Sequence, residues 1–109
     1  MTRQTRPKDE EIELVHGSDN VFRDFGDPDA DVLLAKAILA SEIIKMMDRE
    51  QLTVRAAHAR TRIAAADFSR IRRCDLGRFT LDRLMTILNR LGARVEVRIK
   101  VRMVERAVA

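Results

Sequence analysis

The chemistry that this sequence offers most clearly is that of clustered arginines. Residues 66–84 read ADFSRIRRCDLGRFTLDRL and place Arg70, Arg72 and Arg73 within four consecutive positions. A guanidinium group carries five N–H donors in a rigid plane, and that geometry suits phosphate oxygens and the edge of guanine. The run therefore predicts a contact with nucleic acid, although a row of arginines is also typical of an ordinary solvated helix face.

The charges of the chain are unevenly distributed along it. The 109 residues include 21 Lys and Arg against 17 Asp and Glu, which gives a formal net charge of +4. Residues 1–31 hold four bases and nine acids, whereas residues 54–83 hold eight arginines and three aspartates. We therefore expect a polyanionic partner to contact the middle of the chain and its basic end, residues 90–109.

Other kinds of chemistry find little support in the sequence. The only cysteine, Cys74, has no second thiol beside it, and His16 and His58 stand apart, so no zinc site is predicted. Cys74 is interpreted as a small structural residue. Because there is no glycine-rich phosphate loop and no catalytic set of nucleophile and base, we expect neither an enzyme nor a cofactor. Aromatic residues make up only 4% of the chain, which argues against base stacking.

The same features indicate a compartment. The chain does not begin like a signal peptide, it has one cysteine, and no apolar stretch approaches the roughly 20 residues that a membrane span needs. We therefore expect a protein of the reducing cytoplasm with no membrane partner.

Four amphipathic helices must position the arginines. The hydrophobic spacing predicts helices over 28–49, 54–60 and 64–74, and a last one from 81 to 91. Four boundary signals support these limits, namely an N-cap at Asp27 followed by Pro28, N-caps at Thr53 and Thr80, and a stop at Gly92. Inward positions of the first helix are predicted at Leu34, Ala37, Ile38, Ser41, Ile44 and Met47. The arginine-bearing helix is expected to be held against the core through Phe68, Ile71, Leu84 and Leu88.

The end of the chain changes its period from helix to strand. Val95, Val97, Ile99 and Val101 alternate with charged residues, which predicts a half-buried strand with an open edge that a second copy of the chain can complete. The predicted organisation is therefore a flexible acidic tail and strap over 1–26, a helical domain over 27–92, and a dimerisation strand with a tail over 93–109.

Residues 52–92, LTVRAAHARTRIAAADFSRIRRCDLGRFTLDRLMTILNRLG, resemble the helix-turn-helix domain of the Xre/Cro transcriptional regulators. The preceding GSDNVFRDFGDPDADVLLAKAILASEIIKMMDRE and the following VEVRIKV resemble the small antitoxins of the HigA-like kind. The resemblance implies a mainly α, lambda-repressor-like helical bundle with a C-terminal β-strand. It also implies a homodimer that binds double-stranded operator DNA, often its own promoter, and that has a toxin protein as a possible partner.

The resemblance also assigns roles to the outward residues of the second motif helix and of the segment after it. Arg70 is the predicted base reader, because an arginine can make a bidentate contact with guanine. The side chains of Ala64, Ala65 and Ala66 are expected to pack against thymine methyl groups. Contacts with the DNA backbone are assigned to Ser69, Arg72, Arg73, Arg78 and Thr80.

The chain departs from the family pattern at five positions. Val54 replaces a glutamine that commonly contacts a phosphate, His58 replaces an alanine, Thr61 replaces a leucine, and Arg62 and Cys74 replace glycines. Arg62 is expected to need a positive φ at the turn. These departures leave open a second hypothesis, in which the chain is a dimeric protein-binding module that neutralises a toxin and has lost specific DNA binding.

Overall fold

A computed structural model describes residues 29–103, which form four helices: α1 (Ala30–Arg49), α2 (Val54–Thr61), α3 (Ala65–Arg72) and α4 (Leu81–Arg90). Their ends lie within two residues of the predicted ones, so the predicted order of helices is confirmed. The predicted cap at Asp27 and Pro28 and the predicted tail and strap over 1–26 lie outside the described residues. Within 29–103, no helix is long and apolar enough to cross a membrane.

Two of the helices begin at threonine caps. The Thr53 hydroxyl oxygen accepts a hydrogen bond from the Ala56 N–H at 3.0 Å, and that of Thr80 accepts one from the Arg83 N–H at 3.2 Å. Each bond satisfies an N–H group that the first turn of a helix leaves without a backbone partner. Both predicted caps are therefore confirmed.

A residue in the left-handed conformation follows each of the four helices within two positions. These residues are Gln51 (φ 55°), Arg62 (φ 67°), Cys74 (φ 57°) and Gly92 (φ 101°). The N–H of each donates to a carbonyl in the preceding turn, at distances from 2.7 to 3.1 Å. The predicted stop at Gly92 and the predicted positive φ of Arg62 are confirmed. Because three of the four are not glycine, each of those three ends costs on the order of 1 kcal/mol.

The core lies where α1 packs on α3 and α4 and where α2 packs on the same two helices. Its fully buried side chains include Phe68, Ile71 and Leu84, and Leu88 is almost fully buried. The prediction that these four residues hold α3 against the core is therefore confirmed. The predicted inward face of α1 is confirmed at Met47 and in part at Ile44, which packs half-buried against the core, but Ser41 is exposed and the other predicted positions are only half-buried. The buried residues of that helix are Ala30, Ala35, Leu39, Ala40, Glu42, Ile43 and Met47. Because apolar residues surround most of α1, hydrophobic spacing alone did not select the correct side.

Two arginines join the C-terminal ends of α2 and α4. Arg60 donates to the Leu91 carbonyl at 3.3 Å and pairs with Glu50, while Arg90 donates to the Thr61 carbonyl at 3.3 Å. Each guanidinium thus reaches a carbonyl beyond or at the end of the other helix, where partial negative charge collects. This exchange fixes α2 against α4.

The predicted C-terminal β-strand is not found among the described residues. Residues 93–103 form no strand, and an isolated bridge position at Arg98 is the nearest approach to one. Val95 packs against the core, but Val97, Ile99 and Val101 are 43%, 73% and 84% exposed. A strand exists only when a neighbouring strand satisfies its backbone, so the alternating pattern alone was not sufficient to produce one.

Candidate nucleic-acid interface

The connection between α2 and α3 consists of three residues, Arg62, Ile63 and Ala64, and it is held by side chains. Thr61 is buried, and its hydroxyl donates to the Ala57 carbonyl at 2.7 Å while accepting from the Ile63 N–H at 3.1 Å. Ala57 and Ile63 are almost completely buried on either side of it. The threonine hydroxyl therefore satisfies the buried Ile63 N–H within the turn itself.

His58 braces the same turn from its exposed side. Its Nδ1 lies 2.8 Å from the Ile63 carbonyl oxygen, and because a carbonyl only accepts, Nδ1 carries the proton and donates. Arg62, which follows α2, takes the left-handed conformation that favours glycine. The turn thus accommodates three of the five departures from the family pattern, at His58, Thr61 and Arg62. Helices α2 and α3 remain packed on each other.

The fourth and fifth departures lie at the beginning of α2 and the end of α3. Val54 is half-buried against the core. Because its side chain is apolar, it has no group that can bind a phosphate. Arg55, beside it, is exposed and makes no ion pair within the described residues. Cys74 is exposed and keeps the left-handed conformation at the end of α3. The backbone at the two glycine positions, 62 and 74, therefore has the conformation that a glycine would adopt.

The surface of α3 divides into an inward and an outward side. Phe68 and Ile71 are fully buried. Helical spacing places Ala66, Ser69, Arg70 and Arg73 opposite them, at i, i+3, i+4 and i+7. We call these four residues the outer stripe. Ala64 is exposed beside its beginning, whereas Ala65 is half-buried.

One flank of α3 is tied to α1. The Arg72 guanidinium donates to the Asp48 carboxylate at 2.8 Å, across 24 residues of sequence. Arg72 therefore has a partner in the protein and lies beside the outer stripe rather than in it. Its predicted contact with the DNA backbone stays a prediction.

The other flank of α3 is tied to α4 through Asp67. The Arg70 Nη1 donates to Asp67 Oδ1 at 2.9 Å, and the Arg83 Nη2 lies 3.6 Å from Asp67 Oδ2. The Asp67 and Arg70 side chains are 18% and 28% exposed. The predicted base reader is therefore held in an ion pair and is less exposed than its outward position suggests.

Two other arginines of the predicted set have no such partner. Arg73 and Arg78 are exposed, and neither makes an ion pair in the part of the chain that the structure describes. Thr80 is also exposed, but its hydroxyl caps α4 and hydrogen-bonds the Asp82 carboxylate, which lowers the pKa of Asp82. Of the arginines predicted to contact DNA, the two without an ion pair among the described residues therefore lie at the C-terminal end of α3 and in the loop after it.

Comparison with known proteins agrees with this geometry. The family described as a helix-turn-helix domain matches residues 21–100, most of the chain. The chain belongs to that family. The helix-turn-helix consists of α2, the three-residue turn and α3, and α3 is its recognition helix. No curated protein and no solved structure matches the chain.

Sequence reasoning missed three residues of this helix-turn-helix surface. The sequence pattern assigns no role to Asp67 and does not connect Arg83 or Asp48 with α3. The pair formed by Asp67 and Arg70 has the i, i+3 spacing of helical ion pairs, so the sequence contained a signal for it. The contacts from Arg83 and Asp48 join residues distant in sequence, and only the packing of the helices brings them together.

Proposed function

We propose that this protein binds operator DNA through α3 and represses transcription, and that it regulates its own operon as a small Xre-type, HigA-like antitoxin. The observation that carries the proposal is the outer stripe, the side of α3 opposite its buried residues. Ala66 and Arg73 are exposed there, Ser69 and Arg70 are half-buried, and the exposed Arg78 follows in the next loop. Arg70 is the proposed base reader. Thymine methyl contacts are proposed for Ala64 and Ala66, which are exposed.

The contacts with phosphate follow from the unpaired arginines. Arg73 and Arg78 have no partner carboxylate among the described residues, so they bind phosphate without first breaking an ion pair. Arg55 at the first turn of α2 supplies the charge that Val54 lacks. We do not carry the phosphate role over to Arg72, because it lies on the flank of α3 towards Asp48 of α1, beside the outer stripe.

Dimerisation is proposed through the end of the chain. Val97, Ile99 and Val101 expose apolar side chains that alternate with charged ones, and a second copy can cover them by pairing its own segment to form the missing strand. Two recognition helices at a fixed distance then require two half-sites, which compensates for a reading surface with few hydrogen-bonding side chains. The acidic composition of residues 9–31 supports a basic toxin as the partner.

The proposal is tested by fluorescence anisotropy at several salt concentrations. The purified protein is titrated into a labelled fragment of its own upstream region and, separately, into a random fragment of equal length. Tight binding that favours the upstream fragment, with a steep dependence on salt, supports a specific repressor. Weak and equal binding to both fragments contradicts it and favours the protein-binding module without specific DNA recognition.

A charge-matched pair of variants identifies the surface used. Arg78→Ala should weaken binding to both fragments alike and reduce the salt slope by about one. The control, Lys36→Ala, removes the same charge from α1, about 18 Å along the helix axis from Asp48. Equal losses from the two variants would mean that net charge, and not this surface, governs binding.

A further inference from the structure

One carboxylate, that of Asp67, faces two guanidinium groups from two helices. Its Oδ1 accepts from the Nη1 of Arg70 on α3, and its Oδ2 lies 3.6 Å from the Nη2 of Arg83 on α4. The Asp67 side chain is four-fifths buried, so water competes poorly for these contacts. The position of Arg70 is therefore coupled to the packing of α3 on α4.

The pairing leaves Arg70 able to bind DNA. A guanidinium has five N–H donors, and the bond to Asp67 uses one of them, on Nη1. A bidentate contact with the O6 and N7 of guanine needs two more, and the group retains enough. A flexible arginine loses rotamer freedom when it binds a base, whereas one already held by a carboxylate has lost much of it beforehand.

The carboxylate also acts against binding to the wrong sequence. Asp67 brings a negative charge to the flank of a helix that approaches the phosphates, and it offsets the charge of Arg70 and Arg83. On DNA without a guanine at the matching position, Arg70 gains no base contact, and the repulsion between Asp67 and phosphate remains. The same residue therefore favours the correct site and disfavours others.

We propose that Asp67 is a positioning residue that holds Arg70 for a single base and so determines much of the sequence specificity. This inference rests on the proposed function, because it needs α3 to lie against DNA. It adds to that function a residue that has no direct contact with the base.

The test compares Asp67→Asn with wild type on the upstream and random fragments. The amide has nearly the same shape but no charge, so affinity for the upstream fragment should fall by about 2- to 10-fold, the cost of ordering one released side chain. Affinity for random DNA should rise, because a repulsive charge is gone. The control, Asp75→Asn, removes an exposed carboxylate just after α3 and should raise affinity for both fragments equally.

A double-mutant cycle shows whether Asp67 acts through Arg70. In an Arg70→Ala background, Asp67→Asn should leave the ratio of the two affinities unchanged, because no side chain remains to be positioned. Two results would overturn the proposal. Asp67→Asn could lower the preference for the upstream fragment equally with and without the Arg70 side chain, or it could leave that preference unchanged in the otherwise wild-type protein.

Nuclear magnetic resonance relaxation of the arginine Nε–H groups gives a readout that does not depend on DNA. Arg70 should be more ordered than Arg73 in the wild-type protein and equally mobile in Asp67→Asn. If Arg70 stays ordered without the carboxylate, the positioning role is wrong. If the wild type prefers neither fragment, the proposed function fails on that result, and the relaxation data alone decide whether Asp67 holds Arg70.

Discussion

Most of the large apolar side chains of the helix-turn-helix are buried, whereas most of those in segment 93–103 are exposed. Phe68 and Ile71 of α3 are fully buried against the same chain, whereas Ile99 and Val101 are 73% and 84% exposed. Burial of apolar area is the main favourable contribution to folding, so the first region stabilises itself within one chain. The second has an apolar surface that only another surface can cover. The comparison separates apolar side chains that pack within the described part of the chain from apolar side chains that stay exposed there.

The largest expected effect comes from removing a buried side chain of α3. Phe68→Ala should lower the free energy of unfolding by about 3–5 kcal/mol, because it leaves a cavity between α3 and the core. Ile99→Ala should leave the stability of the single chain unchanged, since that side chain already faces solvent. Urea denaturation at low protein concentration measures both. If Phe68→Ala does not fold, Phe68→Leu is measured in its place. Equal losses in the free energy of unfolding from the substitutions at positions 68 and 99 would contradict the comparison.

A smaller loss is expected from the turn. Thr61→Val keeps the shape of the side chain but leaves the buried Ile63 N–H without its acceptor, which should cost about 1–3 kcal/mol. Thermal or urea unfolding measures the loss. An unchanged stability would mean that the threonine hydroxyl does not hold the turn. Ser41→Ala is the control, because its hydroxyl bonds to a carbonyl on an exposed side of α1.

The helix ends allow a prediction of opposite sign. Cys74→Gly should raise the free energy of unfolding by about 1 kcal/mol, because a glycine adopts the positive φ of that position without steric cost. Gly92→Ala should lower it by a similar amount, since its φ of 101° is unfavourable for any L side chain. A calorimetric comparison of the two variants that finds the same sign for both would contradict the argument.

The smallest effect on the single chain, and the clearest effect on assembly, is expected at Val97. Val97→Pro removes a backbone N–H that a strand pairing needs, so it should shift the protein towards monomer and leave its helical content intact. Light scattering measures the mass over a range of concentrations, and circular dichroism measures the helix. A mass equal to that of wild type would reject the proposed interface, and Glu96→Ala provides a control that retains every backbone N–H and every apolar side chain of the segment.

The sequence predicted those features whose causes are local. The caps at Thr53 and Thr80, the stop at Gly92 and the inward side chains Phe68 and Ile71 each depend on residues within one turn of the helix. The face of α1 was mispredicted because that helix is apolar on several sides, and only its neighbours decide which side is buried. The strand over 95–101 was mispredicted for a related reason, because a strand forms only when another segment pairs with it.

The candidate site divides in the same way. The sequence indicated that arginines of α3 point outward, and the spacing of Asp67 and Arg70 contained a signal for their ion pair. It did not indicate that Asp48 pairs with Arg72 or that Arg83 approaches Asp67, because those contacts depend on how α1 and α4 are placed beside α3. They change which arginines are available to bind a phosphate, so charge counted along the chain overstated the charge available on the surface.

The central claim is that the outer stripe of α3, and not its flank towards α1, faces DNA. The most direct measurement compares Arg73→Ala with Arg72→Ala, two neighbouring substitutions that remove the same charge, by titration of labelled upstream DNA over a range of salt concentrations. We predict that Arg73→Ala weakens binding and reduces the salt slope by about one, while Arg72→Ala leaves both close to wild type. The reverse order, or equal losses from the two variants, would contradict the claim.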